Sequence, residues 1–293
     1  MALPLLHAGV NHGYWAFAWR ADPVLVTLLS AAVVIYLLSY RSASLFGRPV
    51  PPGRQVMAFF GGLFVVALAL LGPFDHYNGV LFSVHMIQHL LLMLVAAPLI
   101  VLGRPVQVIL HGLPRRYRRL LLRQTAARRG FRRALAVVTH PASIFALYNG
   151  SFVIWHTPRL YQAAVRDEHL HELEHAAFFV TALLFWWVLI DPLPLRKRLS
   201  ITSAVLLLFA TWMASDLLCA TISLARDPIY PVYTEAVRPW GLSALADQKI
   251  GGGIMWAAGG IFYAAVTVGM LAVPYLKHRA ANAGPPQPDV PLG

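Results

Sequence analysis

Seven stretches of this chain carry about twenty successive, mostly apolar residues, the length an α-helix needs to cross the hydrocarbon core of a bilayer. They fall at 22–40, 55–72, 80–102, 136–156, 168–190, 200–224 and 250–276. Inside lipid the backbone has no water to pair with, so each stretch must close its own hydrogen bonds as a helix. The expected fold is all-α: a polytopic membrane protein with seven transmembrane helices. Composition agrees, since charged residues make up 12% of the chain where a soluble domain carries about 25%. Gly72-Pro73, Arg104-Pro105 and Asp191-Pro192 mark several exits from these stretches, as turn-forming pairs do.

The placement of basic residues predicts the topology. Arg41, Arg48 and Arg54 follow the first stretch, and ten arginines lie between Arg104 and Arg133 after the third. Arg196, Lys197 and Arg198 follow the fifth, and Lys277 and Arg279 the seventh. The opposite side holds Arg20, Arg159, Arg166, Arg226, Arg238 and Lys249. Positive-inside bias therefore predicts an outer N-terminus and a cytoplasmic C-terminus. The formal net charge of +12 would suit nucleic acid in a soluble protein. Here it concentrates beside the membrane, so lipid is the expected partner and nucleic acid is not. In LPRRYRRLLLRQTAARRGFRR the arginines recur at one, three and four residues among leucines, a pattern for a helix lying on the anionic leaflet. Residues 1–21, with Tyr14, Trp15, Phe17 and Trp19, read as an outer interfacial segment without a removable signal peptide. Trp186 and Trp187 read as an inner aromatic belt. Residues 22–279 form the transmembrane domain, with the arginine-rich cytoplasmic loop at 104–133, and the Pro/Gly-rich tail 280–293 is expected to be disordered.

Two histidine pairs sit within the apolar stretches, His85 with His89 and His171 with His175. A separation of four places both rings of a pair on one helix face. Ionisable side chains at membrane depth are costly and tend to face the bundle interior, where they mark function. At about 1.5 Å rise per residue, both pairs fall in the outer part of their helices. His156 ends the fourth stretch at that level, and Asp216 and Cys219 lie in the outer half of the sixth. Asp247, Gln248, Met255 and Trp256 begin the seventh. His76 lies in the short outer loop, and His140 belongs near the inner side. The bland reading of each histidine, as of Met86, Met93, Met213 and Cys219, is helix packing or an interhelical hydrogen bond.

Cys219 is the one cysteine, so neither an intramolecular disulfide nor a Cys-x-x-Cys metal site can form. Imidazoles without thiolates suit copper, zinc or iron, which leaves three chemistries open. Copper handling would use the histidines as ligands, with Glu174 and Asp216 orienting them. HELEH at 171–175 also satisfies H-E-x-x-H through Glu172, and the inverted H-x-x-E-H through Glu174, the zinc metallopeptidase patterns. Haem could be held between histidines of facing helices, although two histidines on one helix cannot take its opposite axial positions.

Three blocks carry a resemblance: HMIQHLLLMLVAAPLIVLGRP, WHTPRLYQAAVRDEHLHELEHAAFFVTALLFWW and ADQKIGGGIMWAAGG. In this order they resemble the seven-helix cytochrome c oxidase assembly factors called CtaG, of the caa-type oxidase kind. The resemblance implies a multi-pass plasma (inner) membrane protein that helps mature a haem–copper oxidase at its copper stage and is not an enzyme. Its partners would be oxidase subunits and a copper donor protein. The family's histidines match His85, His89, His156 and His171, with Glu174-His175; Asp247-Gln248 and Met255-Trp256 match the third block. Glu172 falls where the family has no fixed acid. The expected metal ligands are thus His85, His89, His171 and His175, with His156 at the rim. Glu174 and Asp216 would support them, and Asp247 and Met255 would line the mouth.

Overall fold

A computed structural model describes residues 19–127, 129–190, 199–235 and 241–282. Tyr14, Trp15, Phe17, the Asp191-Pro192 exit, Arg196–Arg198, Arg238 and the tail from 283 lie outside the described residues. The elements are α1 (Pro23–Leu45), α2 (Gly53–Leu70), the short α3 (Pro73–Tyr77) and α4 (Phe82–Leu90). A π-helical stretch (Leu91–Ala96) continues α4 into α5 (Ala97–Leu102), followed by α6 (Pro105–Gly112). The arginine-rich connection is helical as α7 (Arg115–Ala127) and α8 (Arg129–Val138). Then come α9 (Pro141–Trp155), α10 (Pro158–Arg166), α11 (Glu168–Ile190), α12 (Ile201–Ser223) and α13 (Ala244–Asn282). No strand occurs among the described residues.

Among the described residues, six helices are long and apolar enough to cross a membrane, or seven if the bent pair α8–α9 counts as one span. The chain is a multi-pass, all-α membrane protein. Exposed apolar side chains such as Leu28, Leu38, Phe64, Leu206, Leu217 and Ile261 line the outside of the bundle, which is what lipid rather than water requires. The fourth expected span, 136–156, is corrected: α8 and α9 meet at 58° across Thr139 and His140. Pro141 forces the preceding residue out of the helical region, and His140 is extended (φ −65°, ψ 140°), its Nδ1 accepting from the Ala142 N–H.

The rod running from Phe82 through α5 is the most enclosed part of the bundle. α13 packs on α4, α2 and α11 pack on α5 and the π-helical stretch, and α12 packs on α9 and α13. α1 rests on α6, where Tyr36 donates to the Gly103 carbonyl (2.9 Å) and Ser42 to that of Gly112 (2.7 Å). Close approach of α13 depends on glycine. A Cβ on Gly251 would lie 2.5 Å from the Phe82 ring and 3.0 Å from Ser83 Cα.

The π-helical stretch has a local cause. The Ala97 N–H bonds to the Leu92 carbonyl, so the Met93 carbonyl would look to residue 98 for its donor. Residue 98 is proline and has no N–H. The indole of Trp186 supplies that donor at 2.8 Å. Trp186 is therefore a buried core residue, 1% exposed, and its expected place in an interfacial belt is corrected. Replacing it in W186F orphans a buried carbonyl, which costs about 1–3 kcal/mol. The expected outcome is a lower thermal unfolding temperature in detergent micelles, with the helical circular dichroism signal retained at low temperature.

Candidate metal centre

α11 begins where Asp167 accepts the Leu170 N–H (2.9 Å), an N-cap that fixes the helical phase. In that phase residues 171, 174 and 175 share one face, and residue 172 is turned about 100° away. His171, Glu174 and His175 accordingly face α4. Glu172 is exposed and pairs with His169 (3.4 Å) at the surface. The H-E-x-x-H reading loses its general base by this geometry.

α4 has the complementary face. Its first N–H groups are capped by the buried Asp247 of α13, which accepts from Phe82 N (2.6 Å), Ser83 N (3.3 Å) and the Ser83 hydroxyl. Asp247 is 0% exposed and anchors the helix that carries His85 and His89. Its expected place at a mouth is corrected to this capping role.

Between the two faces the imidazoles meet. His85 Nε2 lies 3.1 Å from His171 Nε2 and 3.6 Å from Glu174 Oε2. His89 Nε2 lies 3.9 Å from Glu174 Oε1. The ring of His89 is 5.2 Å from that of His175 and 4.3 Å from that of His85. Two groups have ligand atoms all within 4.8 Å of one another: His85 with His171 and His175, and His85 with His89 and Glu174. His85, His89, Glu174 and His175 are buried, and His171 is partly exposed. Both nitrogens of His89, both oxygens of Glu174 and Nε2 of His175 lack a hydrogen-bond partner. Buried polar atoms are rarely left so; lone pairs converging in an apolar bundle are what a bound cation would neutralise.

Tyrosines behind His85 set its tautomer. The Tyr161 hydroxyl is 2.9 Å from His85 Nδ1 and 2.9 Å from the Tyr233 hydroxyl, which donates to the Asn78 carbonyl (3.0 Å). A carbonyl only accepts, so each hydroxyl donates onward and His85 Nδ1–H donates into the chain. That leaves Nε2 unprotonated toward the cluster, the arrangement in which outer partners orient metal-binding imidazoles. Sequence reasoning missed both tyrosines. Tyr161 offered a weak signal, a phenol five residues after His156; Tyr233 lies in a non-repetitive connection with no period to read.

The remaining candidates separate. His156 is 3% exposed, so it is a buried neighbour and not a rim residue; its ring is 6.0 Å from that of His89. Met255 and Cys219 line a small internal cavity with Met93 and Tyr263. Asp216 belongs to neither ligand group. At the same end of the bundle Arg20 pairs with Glu168 and with Asp75 (3.4 Å).

Residues 34–275 match the family described as cytochrome c oxidase caa3 assembly factor (Caa3_CtaG). The chain belongs to this family. Among individual relatives, an uncharacterized protein of Mycobacterium leprae is 27% identical over 266 residues, covering 87% of this chain and 39% of that protein. Uncharacterized proteins of Mycobacterium bovis and Mycobacterium tuberculosis are each 29% identical over 255 residues, covering 82% of this chain and 36% of theirs. The chain thus spans about two fifths of the length of the curated relatives it matches, or slightly less. No solved structure matches. The Caa3_CtaG match includes every residue of the histidine cluster and the Asp247 cap.

Removing the cap in D247A leaves the Phe82 and Ser83 amides unpartnered, a cost of about 1–2 kcal/mol. D247N, which keeps one acceptor oxygen, is expected to recover part of the loss in thermal unfolding.

Proposed function

We propose that this Caa3_CtaG-family protein serves the maturation of a haem–copper cytochrome c oxidase by holding copper at the His85, His89, His171 and His175 cluster and delivering it to oxidase apoprotein. One observation carries the reading: imidazoles from α4 and α11 converge with Glu174 while both nitrogens of His89, both oxygens of Glu174 and Nε2 of His175 stay unpartnered. Donors of this kind, nitrogen and oxygen without thiolate, suit copper. The rings pack edge to face or tilted at 4.3–5.7 Å, spacing that favours one ion over a macrocycle. No reaction is catalysed. The protein presents neutral imidazoles, excludes water from the ion and lets His171, the most accessible ligand, exchange with a donor or acceptor.

Positive-inside bias puts the arginine-bearing α7 and α8 on the cytoplasmic face of the plasma membrane. The cluster, at the opposite ends of α4, α9 and α11, then faces outward, where oxidase subunits and a copper donor protein would meet it. Anionic lipid would hold α7 and α8 in place.

Metal analysis of the purified protein after loading tests the assignment. Copper retained by wild type and by E172Q, and lost by at least tenfold in H85A and H175A, is the expected pattern; equal copper in all four overturns it. Because only neutral imidazole ligates, copper affinity is expected to fall once acid protonates the cluster. Equilibrium competition with a chromogenic chelator, carried from neutral pH down to the acid limit of the folded protein, measures that loss. In cells lacking the protein, the oxidase is expected to show a reduced copper-to-haem ratio.

A further inference from the structure

Beside the histidine cluster lies a pair of a different chemical character. His156 Nε2 is 3.4 Å from the Met86 sulfur, and the two residues are 3% and 0% exposed. His156 Nδ1 is 2.7 Å from the Phe152 carbonyl. A carbonyl cannot donate, so Nδ1 carries the ring proton and neutral Nε2 carries a lone pair. A thioether has no proton to offer it. Two electron-pair donors therefore face each other in van der Waals contact, without a hydrogen between them.

Both partners are held there. His156 ends α9, and its own carbonyl accepts from the Tyr230 hydroxyl (2.9 Å). Met86 sits on α4 one residue after His85 and three before His89, within the enclosed rod. His89 stands between this pair and the cluster, its ring 5.2 Å from that of His175 and 6.0 Å from that of His156. Neither of its nitrogens has a hydrogen-bond partner.

We infer that His156 Nε2 and Met86 Sδ form a second, softer metal position selective for a cuprous ion, with His89 as the ligand it shares with the histidine cluster. Thioether sulfur prefers Cu(I), whereas imidazole and carboxylate accept either oxidation state. The cluster is nitrogen- and oxygen-bearing; this second position adds sulfur. The inference rests on the copper reading above for the identity of the metal. It adds that the protein distinguishes oxidation states by position, holding reduced copper behind the partly exposed His171. No electron transfer is needed: the ion enters and leaves as Cu(I).

X-ray absorption of the full-length protein loaded with Ag(I), a redox-silent cuprous substitute, tests this directly. The expected wild-type spectrum shows a sulfur scatterer in the first coordination shell, and M86L loses it while retaining its apo thermal unfolding temperature. A wild-type spectrum with nitrogen or oxygen scatterers alone overturns the soft position and leaves the histidine cluster as the binding site. Sulfur persisting unchanged in M86L also overturns it, since another sulfur is then the ligand. Sulfur scattering retained in H85A, with copper lost from the cluster, supports the His156–Met86 position as a site in its own right. A wild-type spectrum without sulfur overturns the soft position even if M86L does not fold.

Discussion

Holding three buried imidazoles, a partly exposed fourth and a buried carboxylate together inside an apolar bundle is the constraint on which the rest of this structure depends. Isolated polar groups at such depth cost several kcal/mol each, so the surroundings must orient them and leave a place for neutralising charge. α4 and α11 meet this by presenting one face each, His85 and His89 opposite His171, Glu174 and His175. The Tyr161–Tyr233 chain then fixes the direction of His85 by ending on a backbone acceptor.

Supporting features keep α4 in register. Its N-terminus is capped from α13 by Asp247, and α13 reaches it because Gly251 has no side chain to collide with Phe82. Gln88 donates to the Ala69 carbonyl at 2.8 Å and ties the same helix to α2. Immediately after His89 the helix widens into π geometry, a distortion common near functional sites. Here its origin is traceable to Pro98 and its satisfaction to Trp186. The rod that bears two candidate ligands is thus held from three sides.

The bundle is chemically polar along its length. α7 and α8 concentrate arginines at one end, and the connections around α3, α10 and Tyr230–Tyr233 surround the histidines at the other. In the copper reading this separates anchoring from exchange: lipid charge acts on one face, and the ion moves at the opposite one. The inferred Met86–His156 position would add a softer site beside the cluster, next to His89.

The sequence by itself determined the all-α membrane class, because runs of about twenty apolar residues have no alternative to closing their own hydrogen bonds in lipid. It also determined which residues of α11 share a face, since helical phase alone separates Glu174 from Glu172. The proline at 141 carried the break in the fourth span, but length and hydropathy alone read through it to a continuous helix. What only the tertiary structure decided was contact between elements distant in the chain. Asp247 as a cap, Trp186 as the donor to a carbonyl 93 residues away, Tyr233 in the chain behind His85, and Met86 facing His156 all depend on which helices touch and how they are rotated. Side-chain periodicity fixes a residue's face on its own helix; it carries no information about what another helix brings to that face.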